Sequence, residues 1–192
     1  REFVVQESVF TRKGVDRVLR YAFELARTRA ARHLTSATKS NGIFISMPYW
    51  DERVAEMQQQ YPDVRVDKFH IDILAAHFVR NPHWFDVVVG SNLFGDILSD
   101  EASVLTGSLG MLPSATIGGT VGLYEPIHGS APDIAGQNIA NPCGTIASVA
   151  MMLRYSANYH EAADAIENAI ENYLEKGYRT KDIAGGGEFV PT

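Results

Sequence analysis

Apolar residues recur at helical spacing through Val15, Val18, Leu19, Ala22, Leu25 and Ala26, and the repeat predicts an amphipathic helix over about 14–30. The period then shortens. His33-Leu34-Thr35-Ser36-Ala37-Thr38 reads as a strand, followed by a turn signal at Asn41-Gly42. Pro48, two residues behind Ser46, has the place of a first-turn proline and opens a helix to about Gln60. A strand over 64–71, a helix over 72–80, the apolar strand 85–90 and a helix over 95–105 follow. Strand and helix alternate, so this part predicts a layered α/β fold. From Gly107 the texture changes: Gly107, Gly110, Gly118, Gly119, Gly122 and Gly129 mark turns and loops. Two helices are expected beyond them, over about 144–157 and 159–176. The second carries Ala162, Ala165, Ile166, Ala169, Ile170 and Tyr173 on one side. The change of texture places a domain boundary near residue 106, giving domains 1–106 and 107–192.

Bulk properties narrow the classes. The 192 residues suffice for one domain or parts of two, and 45% hydrophobic with 21% charged content is globular composition. A net charge of −6 supplies no basic stripe for phosphates, which argues against nucleic acid. The single cysteine, Cys143, leaves no internal disulfide and fits a reducing, cytoplasmic compartment. No apolar stretch approaches the length of a membrane span. No secretory signal is visible, and the chain begins at Arg1 without a methionine.

The charged residues that change the picture are few. Asp96 and Asp100 stand four apart, directly behind the strand-like Phe85-Asp86-Val87-Val88-Val89, on one face of the helix that follows. Two like charges so placed repel each other and invite a cation. Asp72 ends the strand-like run before it and Lys39 ends the run 33–38. All four therefore lie at carboxyl ends of strands, the edge where open α/β sheets bind ligands. Three carboxylates suit a hard divalent ion, Mg²⁺ or Mn²⁺, with positions left for a substrate. The lysine is placed to handle a proton. The plainer reading is a solvated acidic helix face, a helix-capping Asp72 and an exposed lysine.

A second group runs Glu125-Pro126-Ile127-His128-Gly129-Ser130-Ala131-Pro132-Asp133-Ile134-Ala135-Gly136 and on to Asn141-Pro142. Gly129 and its small neighbours allow backbone N–H groups to approach a phosphate, and an acidic residue nearby suits a ribose hydroxyl. The chain has no G-x-G-x-x-G, so the usual Rossmann fingerprint is absent. An ordinary Gly/Pro-rich loop is the plainer reading.

With Ser91-Asn92-Leu93-Phe94-Gly95-Asp96-Ile97-Leu98-Ser99-Asp100, the 128–136 loop and Asn138-Ile139-Ala140-Asn141-Pro142 in view, the whole chain resembles the β-decarboxylating dehydrogenases. That is the family of 3-isopropylmalate, isocitrate, tartrate and D-malate dehydrogenases. The resemblance implies the isopropylmalate-dehydrogenase-like α/β fold, with this chain as the C-terminal portion of a two-domain enzyme whose N-terminal part is missing. It implies Mg²⁺ or Mn²⁺ held by Asp96, Asp100 and Asp72, with Lys39 handling the proton. It further implies a homodimer with shared sites, Lys39 and Asp72 reaching into the partner's. His128, Gly129, Ser130, Ala131, Asp133 and Asn141 would hold the adenosine half of the cofactor, with Glu125 and Asn41 nearer the nicotinamide. Asp133-Ile134 stands where NADP-dependent relatives carry Lys-Tyr, which implies NAD. The implied reaction is oxidation of a (2R)-hydroxy dicarboxylic acid at the 2-hydroxyl, followed by loss of CO₂. Phe10 aligns with the family's proton-donating tyrosine and has no proton to give.

Segments nearest the chemistry, Ser36–Gly42, Ser46–Arg53 and His70–Leu74, look like the tartrate/D-malate branch. Thr106–Ala115 and Ala150–Ser156 look more like 3-isopropylmalate dehydrogenase, the alternative. A catalytically inactive fragment or regulatory subunit is the alternative of another class; the intact Lys39, Asp72, Asp96 and Asp100 set speaks against the regulatory subunit, while this chain alone, without the N-terminal part, is expected to be inactive.

Overall fold

The computed structural model describes residues 2–192, which fall into two compact units, Arg1–Glu101 and Ala102–Thr192. The first is the alternating region. Helix α1 (Arg12–Thr28) starts where the Thr11 hydroxyl accepts the Gly14 N–H at 3.2 Å, an N-cap for an otherwise orphaned donor. It buries Val15, Leu19, Ala22, Phe23 and Ala26 on one face. Val18, assigned to that face by spacing, is exposed instead. Strand β1 (His33–Thr38), helix α2 (Ser46–Gln58), strand β2 (Arg65–His70), helix α3 (Ile71–Arg80), strand β3 (Val87–Val89) and helix α4 (Asn92–Thr106) follow. The three strands form a parallel sheet in the order β2-β1-β3.

Strand β1 is central and every one of its residues is buried, although only Leu34 and Ala37 are apolar. Its neighbours supply polar partners for His33, Thr35 and Ser36, while the Thr38 hydroxyl has none among the described residues. Asp67 on β2 takes both the His33 ring at 2.8 Å and the Thr35 hydroxyl at 2.6 Å. Trp50 on α2 donates its indole N–H to Ser36 at 3.0 Å. Between these ties, Leu19, Phe23, Leu34, Met47, Trp50, Met57 and Leu74 make a closed core. Arg53, itself 5% exposed, joins α2 to α1 through Asp16 at 2.8 Å and also meets Glu56.

The second unit is built differently. Where glycines predict only turns and loops, the structure has a two-stranded antiparallel ribbon, β4 (Pro113–Thr116) with β5 (Leu123–Pro126). Helix α5 (Cys143–Tyr155) packs on both strands and on helix α6 (His160–Glu175). The close approach depends on Gly144, where a Cβ would stand 2.9 Å from the Leu112 carbonyl oxygen. The division between the units falls inside α4.

Candidate active site

Because β1, β2 and β3 are parallel, their carboxyl ends share one edge, and the register sets Thr38 beside His70. Lys39 is the next residue after β1. Its carbonyl accepts the N–H groups of Gly42 at 2.9 Å and Ile43 at 2.8 Å, so a tight turn fixes where the side chain leaves the strand. Asp72 lies in the first turn of α3 rather than at a strand end, where free backbone N–H groups favour a carboxylate. The Lys39 ammonium lies 2.8 Å from Asp72 Oδ1, with Lys39 largely covered and Asp72 exposed. The Lys39 hydrogen bond, helped by Asp72's own backbone N–H, holds that carboxyl below the usual carboxylate range.

Asp96 and Asp100 are both exposed on α4, one turn apart. Asp72 is thus joined to Lys39, and among the described residues of one chain no three His, Cys, Asp or Glu side chains gather into a group that could hold a metal ion. The three-carboxylate site read from strand ends is not completed within a single chain. Its donor chemistry still fits a hard cation in part, since Asp96 and Asp100 offer two carboxylates without a strand between them. Asn41 sits exposed in the turn behind Lys39, and Phe10 is a packing residue, partly buried against the core.

In the second unit a cavity of about 710 Å³ is lined by His128, Gly129, Ser130 and Ala131 on one side. Ser108 to Gly110 and Asn138 to Asn141 line the rest, with Asp182 and Thr192. Five of the cofactor candidates therefore line this one cavity: His128, Gly129, Ser130, Ala131 and Asn141. Asp133 is exposed in a short 3₁₀ turn between the lining residues Ala131 and Ile134. Glu125 is outside the lining, paired with Ser114 in the ribbon, and Asn41 belongs to the other unit. The loop is held under backbone constraint: Ala131, ahead of Pro132, has φ 42°, a left-handed conformation a non-glycine residue rarely adopts. His128 Nδ1 stands 2.8 Å from the Gly129 carbonyl, which can only accept, so Nε2 is left as a buried acceptor with no partner among the described residues.

The residue that sequence spacing misses here is Asp182. It accepts from Asn141 Nδ2 at 3.0 Å and from the Thr180 hydroxyl at 2.5 Å. Burial raises its pKa, but hydrogen bonds from Ser108, Thr180 and Asn141 outweigh that and leave it below the usual value. Its only local signal is an acid in a short turn, Lys181–Ile183, a feature common to surface loops.

A known family description, isocitrate/isopropylmalate dehydrogenase, matches residues 1–192. The chain belongs to this family. Among the relatives of this family chain, D-malate dehydrogenase [decarboxylating] of Escherichia coli strain K12 is 57% identical over 191 residues, 96% of this chain and 53% of that protein. Tartrate dehydrogenase/decarboxylase of Pseudomonas putida is 54% identical over 192 residues, 96% of this chain and 53% of that protein. A 3-isopropylmalate dehydrogenase of Carboxydothermus hydrogenoformans is 51% identical, covering 98% of this chain and 50% of that protein. The crystal structure of isocitrate dehydrogenase from Methylococcus capsulatus superposes with a TM-score of 0.89 at 41% identity, covering 94% of this chain and 53% of that one. The chain thus spans about half the length of the curated relatives it matches. No helix among the described residues is long and apolar enough to cross a membrane.

Proposed function

We propose that the protein carrying this chain is an NAD-linked, divalent-metal-dependent oxidative decarboxylase of a (2R)-hydroxy dicarboxylic acid of the tartrate/D-malate type. The observation that carries the reading is the Lys39–Asp72 pair at 2.8 Å, from the end of β1 and the first turn of α3, in a chain that also presents Asp96 and Asp100 one helical turn apart. When bound, a divalent cation supplies Lewis acidity and the dinucleotide supplies a hydride acceptor. Lys39 Nζ, once its own ammonium proton has passed to water, is the group that takes the proton of the 2-hydroxyl, and the turn at 39–43 orients it for that transfer. Asp72 holds the lysine in place until substrate enters.

Since one chain pairs Asp72 with Lys39, we assign the metal site to two copies, Asp96 and Asp100 from one and Asp72 from the other. The exposed Leu93 and Ile97 on the same helix as Asp96 support a second copy there, because such apolar side chains are what a lasting interface covers. The glycine-bearing wall at 128–131 fits the adenosine half of NAD. Asp133 at its rim favours a ribose 2′-hydroxyl and repels a 2′-phosphate.

The 57% identity to a D-malate dehydrogenase favours the tartrate/D-malate branch, and the 51% identity to a 3-isopropylmalate dehydrogenase keeps that acid as the second reading. NADH formation by the full-length protein with Mn²⁺, NAD⁺ and D-malate, tartrate or 3-isopropylmalate decides between them. Turnover of D-malate or tartrate above 3-isopropylmalate is expected. Preference for 3-isopropylmalate would select the second reading, and no turnover of any of the three would refute both.

A further inference from the structure

The family resemblance implies that Asn141 holds part of the cofactor, yet its side-chain amide is already engaged within the protein. Asn141 is 8% exposed. Its Oδ1 accepts the Cys143 N–H at 3.0 Å, which fixes the orientation of the amide and caps the start of α5. Its Nδ2 then points to Asp182 Oδ2 at 3.0 Å and to the sulfur of Met111 at 3.2 Å, so both amide hydrogens are committed. With no amide hydrogen to donate, what Asn141 presents to the cavity is chiefly backbone.

Asp182 controls that presentation. It accepts the Asn141 amide, and the 108–110 segment lies beside the same carboxylate, where Ser108 Oγ accepts the Gly110 N–H at 3.0 Å. Thr180 anchors the second carboxylate oxygen. The segments 108–110 and 138–141 meet beside this carboxylate: a Cβ on Gly110 would stand 2.7 Å from Asn141 Cβ and 3.2 Å from Asp182 Oδ2. One charge therefore sets the spacing of the segments 108–110 and 138–141, both of which line the cavity.

We propose that Asp182 is a positioning residue of this cavity, holding the Asn141 amide inward so that the backbone of 138–141, and not that amide, meets the adenosine portion of a dinucleotide. The inference rests on the dinucleotide reading above and deepens it. Hydrogen bonds to a charged group are strong enough that losing this one lowers ligand affinity about tenfold or more.

The test is calorimetric binding of ADP-ribose, which lacks the nicotinamide, to the full-length protein and to its Asp182→Ala, Asn141→Ala and doubly substituted forms. Each single substitution is expected to weaken binding about tenfold. The double form is expected to bind no more weakly than Asn141→Ala alone, because the two residues act as one unit. Asp182→Asn keeps an acceptor for the Asn141 amide and is expected to recover part of the lost affinity. It carries the same decision if Asp182→Ala does not fold. A purely structural role would shift thermal stability without coupling the two residues in affinity. Affinity of the Asp182 variants within about twofold of the unsubstituted protein, or losses that multiply in the double form, would overturn the assignment. Failure of the unsubstituted protein to bind ADP-ribose would instead overturn the dinucleotide reading, and this inference with it.

Discussion

The two candidate sites are assembled by opposite means. The Lys39–Asp72 pair sits just beyond the carboxyl ends of adjacent parallel strands, and its supports are regular: a ladder register, a tight turn, the first turn of a helix. The cavity at 128–141 has almost no regular structure in its walls. It is held by side-chain ties across long separations, such as Asn141 to Asp182, and by contacts so close that only glycine fits at 110. The first arrangement aims side chains outward and suits chemistry. The second leaves backbone facing a ligand and suits recognition. Substitutions at the sheet edge should therefore remove turnover while sparing the fold, and substitutions in the loop walls should alter shape and affinity.

The largest effect expected is on turnover. Lys39→Ala in the full-length protein should lower kcat by about 10²–10⁴, the usual contribution of a positioned proton-transfer group. The far-ultraviolet circular dichroism should be unchanged. Retained turnover would remove Lys39 from the chemistry and erase the contrast between the two regions.

Next in size is the support beneath that edge. Trp50 is 2% exposed and tied to Ser36, so Trp50→Ala should destabilise the protein by about 3–5 kcal/mol. Denaturant unfolding measures this, and a loss below about 1 kcal/mol would mean that β1 is not held by α2.

Cofactor choice tests the loop side. Asp133→Lys should shrink the preference for NAD over NADP by about one to two decades, the scale of a charge-assisted hydrogen bond. Steady-state kcat/KM for the two cofactors reads it out. An unchanged ratio would remove Asp133 from the cofactor's neighbourhood.

Much of the sheet region was legible in the sequence because its signals are local and periodic. Val15, Leu19, Ala22 and Ala26 announced α1, and the strand end before Lys39 announced the edge, whereas Asp72, expected at a strand end, lies in the first turn of α3. The pairing of those two was not legible, since it depends on the register between β1 and β2, which spacing along the chain does not encode. The β4–β5 ribbon was missed because four-residue strands such as Pro113–Thr116 are too short to show alternation and contain poor strand formers. Asp182 was missed because its role exists only after Asn141 is buried 41 residues away in sequence.

A smaller effect should appear at Gly110, where Gly110→Ala would force a Cβ to within 2.7 Å of Asn141 Cβ. A cost of about 1–3 kcal/mol is expected from overpacking, measured by the thermal midpoint. The smallest is a pH effect in the first unit. The Arg53 hydrogen bond, aided by Arg12, holds the Asp16 carboxyl below its ordinary value, so the folded state binds that proton less readily than the unfolded state. The resulting stability is fully present above the ordinary aspartate value and is lost as pH falls through the depressed one. The stability gap between the natural protein and Asp16→Asn should therefore close on acidification; a gap that widens would contradict the sign.

The central claim is that the active site is divided between two copies, Lys39 and Asp72 on one and Asp96 and Asp100 on the other. Mixing two variants that are each inactive, Lys39→Ala and Asp96→Asn, and refolding them together tests it directly. In a mixed dimer, one site receives both substitutions and the other receives neither. Activity should return to about a quarter of the unsubstituted level, since half the dimers are mixed and half of their sites intact. No recovery, with mixed dimers demonstrated by native mass spectrometry, would contradict the shared site.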